Sequence, residues 1–261
     1  MVEELNSSEL GTKEYWDKSY DVEINNYKNH GDVGEIWFDE DSQNRILKWI
    51  FKNENIQKTD RILDLGSGNG MMLIELAREG FKSLIGVDYS DLAVQLATQI
   101  AKDQDLSDVI EYKQVDLLSE TEVKALGNFR ILHDKGTYDA ISLNPDNVKE
   151  KRHQYVKNLV NIMDNDSLFI ITSCNWTQAE LIESFQDYFK LSTVIPTPVF
   201  KFGGSVGNVV TSLVFNLDKV VQYNDKVSFI FVKLFDFDEG NKLKDDFMTD
   251  LSSAGLIEAD L

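Results

Sequence analysis

Three glycines and three carboxylates in this sequence are spaced in a way that can do chemistry. Ile62-Leu63-Asp64-Leu65 is a short apolar run that enters Gly66-Ser67-Gly68-Asn69-Gly70, and helical spacing resumes from Met71 to Arg78 until Gly80 stops it. Glycines at 66, 68 and 70 let the backbone turn tightly and approach a ligand with no side chain in the way. A dinucleotide site would read G-x-G-x-x-G, because its helix N-terminus must receive a pyrophosphate. Here the third glycine comes one residue early, Asp64 stands two residues before the first, and Met71 follows the last. That spacing suits a ligand with a cationic amino-acid end, whose ammonium region Asp64 could hold through the turn.

Asp88 ends a second apolar run in Gly86-Val87-Asp88-Tyr89, where a carboxylate can accept both hydroxyls of a ribose. Asp116 follows a third run in Val115-Asp116-Leu117, placed to accept from an adenine amino group. Tyr89 and Leu117 complete these two strand ends. Together the positions point to S-adenosyl-L-methionine. Taken singly they allow other readings: the glycines a packing turn, Asp116 a helix N-cap.

The elements that must position these residues follow from periodicity. Glu40 to Lys52 reads as a helix with Asp41 or Ser42 as its cap, Ser83 to Val87 as a buried strand, Leu92 to Ala101 as a helix, and Val109 to Val115 as a strand. Further along, Val156 to Met163 reads as helix, Leu168 to Thr172 as strand and Glu180 to Phe189 as helix. Leu191 to Ile195 and Val209 to Leu217, separated by Gly203-Gly204 and Gly207, supply a closing hairpin. Strands alternating with helices imply an α/β fold, a doubly wound, seven-stranded, mostly parallel sheet with helices on both faces. Residues 1–217 are expected to form this domain, with 1–58 as an N-terminal cap segment. Residues 218–261 form an acidic extension, read as a strand over Val227 to Phe235 and a helix carrying Leu243, Phe247 and Leu251, packed on the same domain.

Composition narrows the partners. The chain of 261 residues has 26 basic and 45 acidic side chains, a formal charge of −19, which repels phosphate backbones and anionic lipid. Nucleic acid and membranes are therefore not expected as partners, and the charge reads either as solubility alone or as the mark of a basic protein partner. The single Cys174 excludes an intrachain disulfide, and His30, His133 and His153 have no metal-ligand spacing, so no metal is expected. An acidic N-terminus without a signal-like apolar run, and no stretch long enough to span a bilayer, give the expectation of a soluble, cytoplasmic protein, and a monomer is expected.

Beyond these motifs the sequence resembles the elongation factor methyltransferase 4 family, seven-β-strand protein-lysine methyltransferases that modify translation elongation factor 1-alpha. The resemblance rests on Leu10-Gly11-Thr12-Lys13-Glu14-Tyr15-Trp16-Asp17, Gly34-Glu35-Ile36-Trp37-Phe38, the segment Asp134 to Leu143, Thr172-Ser173-Cys174-Asn175-Trp176-Thr177, and Phe202-Gly203-Gly204 with Gly207. It spans residues 5 to 217 and implies the fold, the cofactor and a lysine of a folded protein as acceptor. Two features depart from the family: His133 where an aliphatic residue is usual, and the segment from Asp218 onward. The resemblance also sets a register. Pattern alone makes Tyr138 to Leu143 the fourth strand, followed by Asn144-Pro145, whereas the family places that strand at Phe129 to His133, with Asp134-Lys135-Gly136-Thr137 at its carboxyl end facing the sulfonium.

Methyl transfer to a lysine requires a neutral amine, and taking a lysine of pKa 10.4 to that form at pH 7 costs about 4.6 kcal/mol. Asp134 is the expected catalytic residue, orienting the ammonium and leading its proton away; the alternative is a turn-stabilising role before Gly136. Glu35, Trp37 and Phe38 are expected to cover the methionine end or line a lysine channel, Trp37 on the cofactor side and Glu35 and Phe38 toward the substrate, with an ordinary N-terminal core contact as the alternative. Lys135, Asn175 and Trp176 are expected at the substrate, with surface pairing to Asp134 and a helix N-cap as alternatives for Lys135 and Asn175. A small-molecule methyltransferase, or a silent module binding a translation factor, are the competing functions.

Overall fold

A computed structural model describes residues 4–202, 205–208 and 210–218. The strand and helix expected in the 218–261 extension lie outside the described residues. Residues up to Leu217 belong to one compact unit.

The first elements are helices α1 (Lys13–His30) and α2 (Asp39–Lys52). Thr12 caps α1 by accepting from the Tyr15 amide, and Gly31 closes it in the left-handed region. Helix α2 starts one residue earlier than its apolar spacing suggests. Neither Asp41 nor Ser42 caps it: the N-cap is Phe38 with φ 62°, and Asp39 Oδ1 accepts from the Ser42 amide at 2.6 Å. Strand β1 (Arg61–Leu65), α3 (Met71–Arg78), β2 (Ser83–Asp88), α4 (Asp91–Asp103) and β3 (Ile110–Gln114) then alternate as expected, within a residue or two.

The family register is the observed one: β4 spans Phe129–Lys135 and residues Thr137–Ser142 form a short helix, α6. The apolar pattern of 138–143 is a helix face, because Tyr138 packs into the core beside Tyr155 and Phe185. Between β3 and β4 lies α5 (Glu120–Ala125), capped by Ser119, which periodicity did not reveal. Helix α7 runs Val148–Val160, eight residues earlier at its start than the apolar pattern, because its first two turns are charged. Strand β5 (Met163–Ser173) therefore takes Met163 from the expected helix. Likewise α8 (Gln178–Phe185) stops before Phe189, which opens β6 (Phe189–Ile195). A two-stranded hairpin, β7 (Val199–Phe202) with β8 (Ser205–Asn208), precedes β9 (Thr211–Leu217).

Among the described residues, seven strands form one sheet in the order β3-β2-β1-β4-β5-β9-β6, with β9 antiparallel to both its neighbours. Alternate residues feed two cores. Leu63, Leu65, Val87, Leu132, Phe169 and Phe215 face one layer; Ile62, Leu84, Ile131, Ile170 and Val214 face the other. Strand order reverses between β1 and β4, so the crevice at their carboxyl ends is where such a sheet binds ligands.

Candidate active site

At this crevice a cavity opens between the turn after β1, the ends of β2, β3 and β4, helix α1 and the segment before α2. Gly66 and Gly68 form its floor, with φ of 66° and 55°. A side chain at either would be strained by the backbone conformation and blocked by neighbours: a Cβ on Gly66 would overlap Thr137 Oγ1, and one on Gly68 would lie 2.7 Å from the Tyr20 hydroxyl. Gly70 has a different task. It is not on the cavity wall but begins α3, its carbonyl accepting from the Tyr112 hydroxyl at 2.9 Å.

Asp88 lines the cavity with 5% of its surface exposed. Its carboxylate is fixed by the Ser90 amide at 2.9 Å and the Gly68 amide at 3.1 Å, so it also braces the glycine turn. Burial, which outweighs those two hydrogen bonds, pushes its pKa up to about 6, with Asp64 and Asp17 adding repulsion. Tyr89, Asp116 and Leu117 line the same wall. Asp116 is exposed and holds the Leu118 amide at 2.9 Å; the helix cap that its position allowed is taken by Ser119.

Asp64 is within the fold and not on the wall. It is 4% exposed and meets His133, 1% exposed, through a 2.7 Å contact between Oδ1 and Nδ1. The histidine that departs from the family's aliphatic pattern is thus the partner of the first motif's carboxylate.

Asp134 is likewise turned inward. Fully buried and off the cavity wall, it accepts from the Tyr155 hydroxyl at 2.5 Å and from the Thr137 and Tyr138 amides at 2.9 and 3.0 Å. Desolvation pushes its pKa up to about 7 against those hydrogen bonds. This geometry corrects the expected catalytic role: Asp134 is the brace at the start of α6, which carries the cavity residues Thr137, Ala140 and Ile141.

Of the expected substrate residues, Glu35 and Lys135 line the cavity, and so does Trp37. Phe38 does not; its ring covers Gly136. Lys135 is no surface partner of Asp134, since its ammonium donates to the Trp37 carbonyl at 2.7 Å and burial lowers its pKa. Trp176 is buried 6.3 Å from the Tyr138 ring with its indole N–H on Ser142 Oγ, away from the cavity, and Asn175 is also off the wall. Thr177, not Asn175, caps α8, in a capping box with Glu180.

Other cavity residues were not expected. Trp16 and Tyr20 stack at 6.1 Å on one face of α1, and Trp16 meets Trp37 at 4.9 Å. Asn144 and Lys151 close the far side. The Asn144 amide donates to the Gly11 carbonyl and its oxygen accepts from Lys151, both at 2.6 Å. Helical spacing of Trp16 and Tyr20 was a readable signal; the placement of Asn144 and Lys151 depends on α6 and α7 meeting, which sequence spacing does not reveal.

A glycine floor, a buried carboxylate beside it and an acidic third strand end, at the reversal point of a doubly wound sheet, define a Rossmann-like methyltransferase, the class whose cofactor is S-adenosyl-L-methionine. The family model described as "Methyltransferase domain" matches residues 56–226. A solved SAM-dependent methyltransferase from Anabaena variabilis shares the fold, with TM-score 0.58 at 12% identity, over 83% of this chain and 98% of that one. "EEF1A lysine methyltransferase 2" of Danio rerio is 48% identical over 213 residues, 82% of this chain and 90% of the relative. "Protein-lysine N-methyltransferase efm4" of Schizosaccharomyces pombe is 36% identical over 230 residues, 82% of this chain and 96% of the relative. The chain belongs to this EEF1A lysine methyltransferase 2 and Efm4 family.

The residues present fit the cofactor. Gly66 and Gly68 leave main chain at the floor where a Cβ would intrude, and Asp88 offers a buried acceptor for ribose hydroxyls. Val115, Leu117 and Leu118 form an apolar wall beside Asp116, suited to a purine, and Trp16, Tyr20 and Trp37 supply aromatic faces to a sulfonium.

Proposed function

We propose that this chain is an S-adenosyl-L-methionine-dependent protein-lysine N-methyltransferase whose substrate is translation elongation factor 1-alpha. The observation that carries this reading is the cavity whose floor and carboxylates suit the cofactor, taken with a 48% identical relative named for lysine methylation of EEF1A and a 36% identical one named as a protein-lysine N-methyltransferase. In the proposed site Asp88, Tyr89, Asp116 and Leu117 hold the nucleoside, Gly66 and Gly68 admit the amino-acid end, and Trp37 covers the sulfonium. Asp64 and Gly70 act indirectly, by fixing the turn.

The bound cofactor supplies a methyl group on a positively charged sulfur, poised for in-line displacement by a lysine amine. The chain's own residues then position and desolvate. Glu35 is exposed at the mouth and close to Trp37 in sequence, and it is placed to draw the acceptor's ammonium while Trp37 flanks the aliphatic stem. Asp134 contributes by holding α6 in register, not by touching the amine. Residues 1–217 carry this activity in the proposal, acting as a cytoplasmic monomer, and a charge of −19 favours a basic protein over nucleic acid or a membrane.

The test is incubation of the full chain with labelled S-adenosylmethionine and purified elongation factor 1-alpha, followed by peptide mass spectrometry. Methyl incorporation at one lysine, abolished by heat-denaturing the acceptor, is expected. Label confined to small molecules in a cell extract, with none on the factor, would overturn the substrate assignment.

A further inference from the structure

The segment 33–37 forms the outer wall of the cavity through Glu35 and Trp37, yet it belongs to no helix or strand. It begins after Gly31, in the left-handed region, and ends at Phe38 and Asp39, with φ of 62° and 67°. Two successive non-glycine residues in that region are strained, and such a turn persists only where its surroundings hold it.

What holds it is specific. The carbonyls of Val33, Glu35 and Trp37, at alternate positions along the segment, each accept from a side chain rooted in the cofactor site. Asn69 Nδ2 donates to Val33 and Glu35, at 3.1 Å each, and Lys135 Nζ donates to Trp37 at 2.7 Å. Asn69 cannot turn its amide round without loss, because its Oδ1 accepts from the Met71 amide at 3.3 Å. Lys135 is an ammonium directed at a neutral carbonyl, with Asp64, Asp134 and Asp39 supplying the compensating field. Both donors stand at strand ends of the crevice itself, one in the turn after β1 and one at the end of β4.

We propose that Asn69 and Lys135 are positioning residues that clamp segment 33–37 over the bound cofactor, so that their hydrogen bonds to three main-chain carbonyls set how long the cofactor stays. The clamp rests on the cofactor reading but not on the identity of the methyl acceptor. Asn69→Asp is the sharp probe: it keeps an oxygen for the Met71 amide and the side chain's shape, and turns the donor to Val33 and Glu35 into a carboxylate facing two carbonyls. Lys135→Met removes the other donor.

The experiment measures S-adenosylhomocysteine binding to the full chain by stopped-flow tryptophan fluorescence, with amide hydrogen exchange on the same samples. Lys135→Met, which loses one hydrogen bond, should dissociate the ligand about tenfold faster, and Asn69→Asp, which loses two, at least as fast, with association within about threefold of wild type. Faster exchange should be confined to residues 33–38. Wild-type dissociation in both variants, slower association with unchanged dissociation, or exchange raised across the whole sheet would overturn the clamp. Loss of methyl transfer to one acceptor with normal ligand dissociation would also count against it, while a wild-type chain that binds no ligand would overturn the cofactor reading and the clamp together.

Discussion

If Asp88 receives the cofactor's ribose as a carboxylate, ligand affinity must follow its titration. In the free chain its pKa stands at about 6, above the ordinary carboxylate range. Hydroxyl donors favour the ionised form, so the bound state has a lower pKa, and affinity is full above about pH 7 and lost as pH falls through about 6. At pH 5 roughly one-tenth of the free protein carries the charge, which weakens S-adenosylhomocysteine binding about tenfold relative to pH 8. Asp88→Asn removes the charge while keeping the size. One charged hydrogen bond lost is worth about 2 kcal/mol, roughly 30-fold in Kd at pH 8. The new amide must also set its NH2 against the Gly68 or Ser90 amide that the carboxylate now accepts from. The assay is calorimetry with S-adenosylhomocysteine from pH 5 to pH 8 on both proteins. Wild type should lose affinity toward acid; the variant should be weak and flat. A variant that kept the acid-dependent loss would show that another group titrates, and wild-type affinity in the variant would refute the ribose assignment.

Three further outcomes follow from groups beneath the cavity. His133→Ile leaves the buried Asp64 without its 2.7 Å partner and should lower unfolding free energy by about 3 kcal/mol in urea titration at pH 7.5; an unchanged midpoint would show the pair to be idle. Gly66→Ala places a Cβ against Thr137 Oγ1 at a φ of 66° and should destabilise by about 2 kcal/mol, part of which Thr137→Ala should recover in the double variant, read by thermal melting. Asp134, with its folded-state pKa raised to about 7, binds a proton more readily folded than unfolded. Its contribution to stability is therefore full below about pH 4 and falls away as pH rises to about 7, so Asp134→Asn should flatten this part of the wild-type pH dependence of Tm between about pH 4 and pH 7.

Much of the fold was legible because the sheet is doubly wound. Runs such as Ile62 to Leu65 are buried on both faces and flanked by helices of ordinary length, so periodicity finds them. It failed where one pattern serves two structures. Tyr138 to Leu143 alternates like a strand but turns as α6, because Gly136 and the Asp134 carboxylate start a helix there. One wall of the cavity was legible through Asp88, which ends β2, and Asp116, two residues beyond β3. The catalytic side was not. An acidic residue beside a glycine says nothing about which way its carboxylate points, and Asp134 points at Tyr155. The bonds of Asn69 to Val33 and Glu35 and of Asn144 to Gly11 reach segments far along the chain, which no local spacing records.

One of those distant contacts has a consequence for how the chain acquires its site. Gly11 lies so close to the Leu143 and Asn144 main chain that a Cβ would overlap it, the Ser8 amide donates to the Leu143 carbonyl at 3.0 Å, and Glu4 pairs with Arg152 at 2.9 Å. The first-made wall of the cavity is therefore fastened to helices made some 130 to 150 residues later. On a ribosome adding about 5 to 20 residues each second, that wall waits roughly 7 to 30 seconds for its counterpart. Closing so long a loop is entropically slow. Cofactor binding is then gained only once the chain has been made past Arg152, and an intermediate with a complete β1-to-β3 half-sheet would hold the glycine turn but not the ligand.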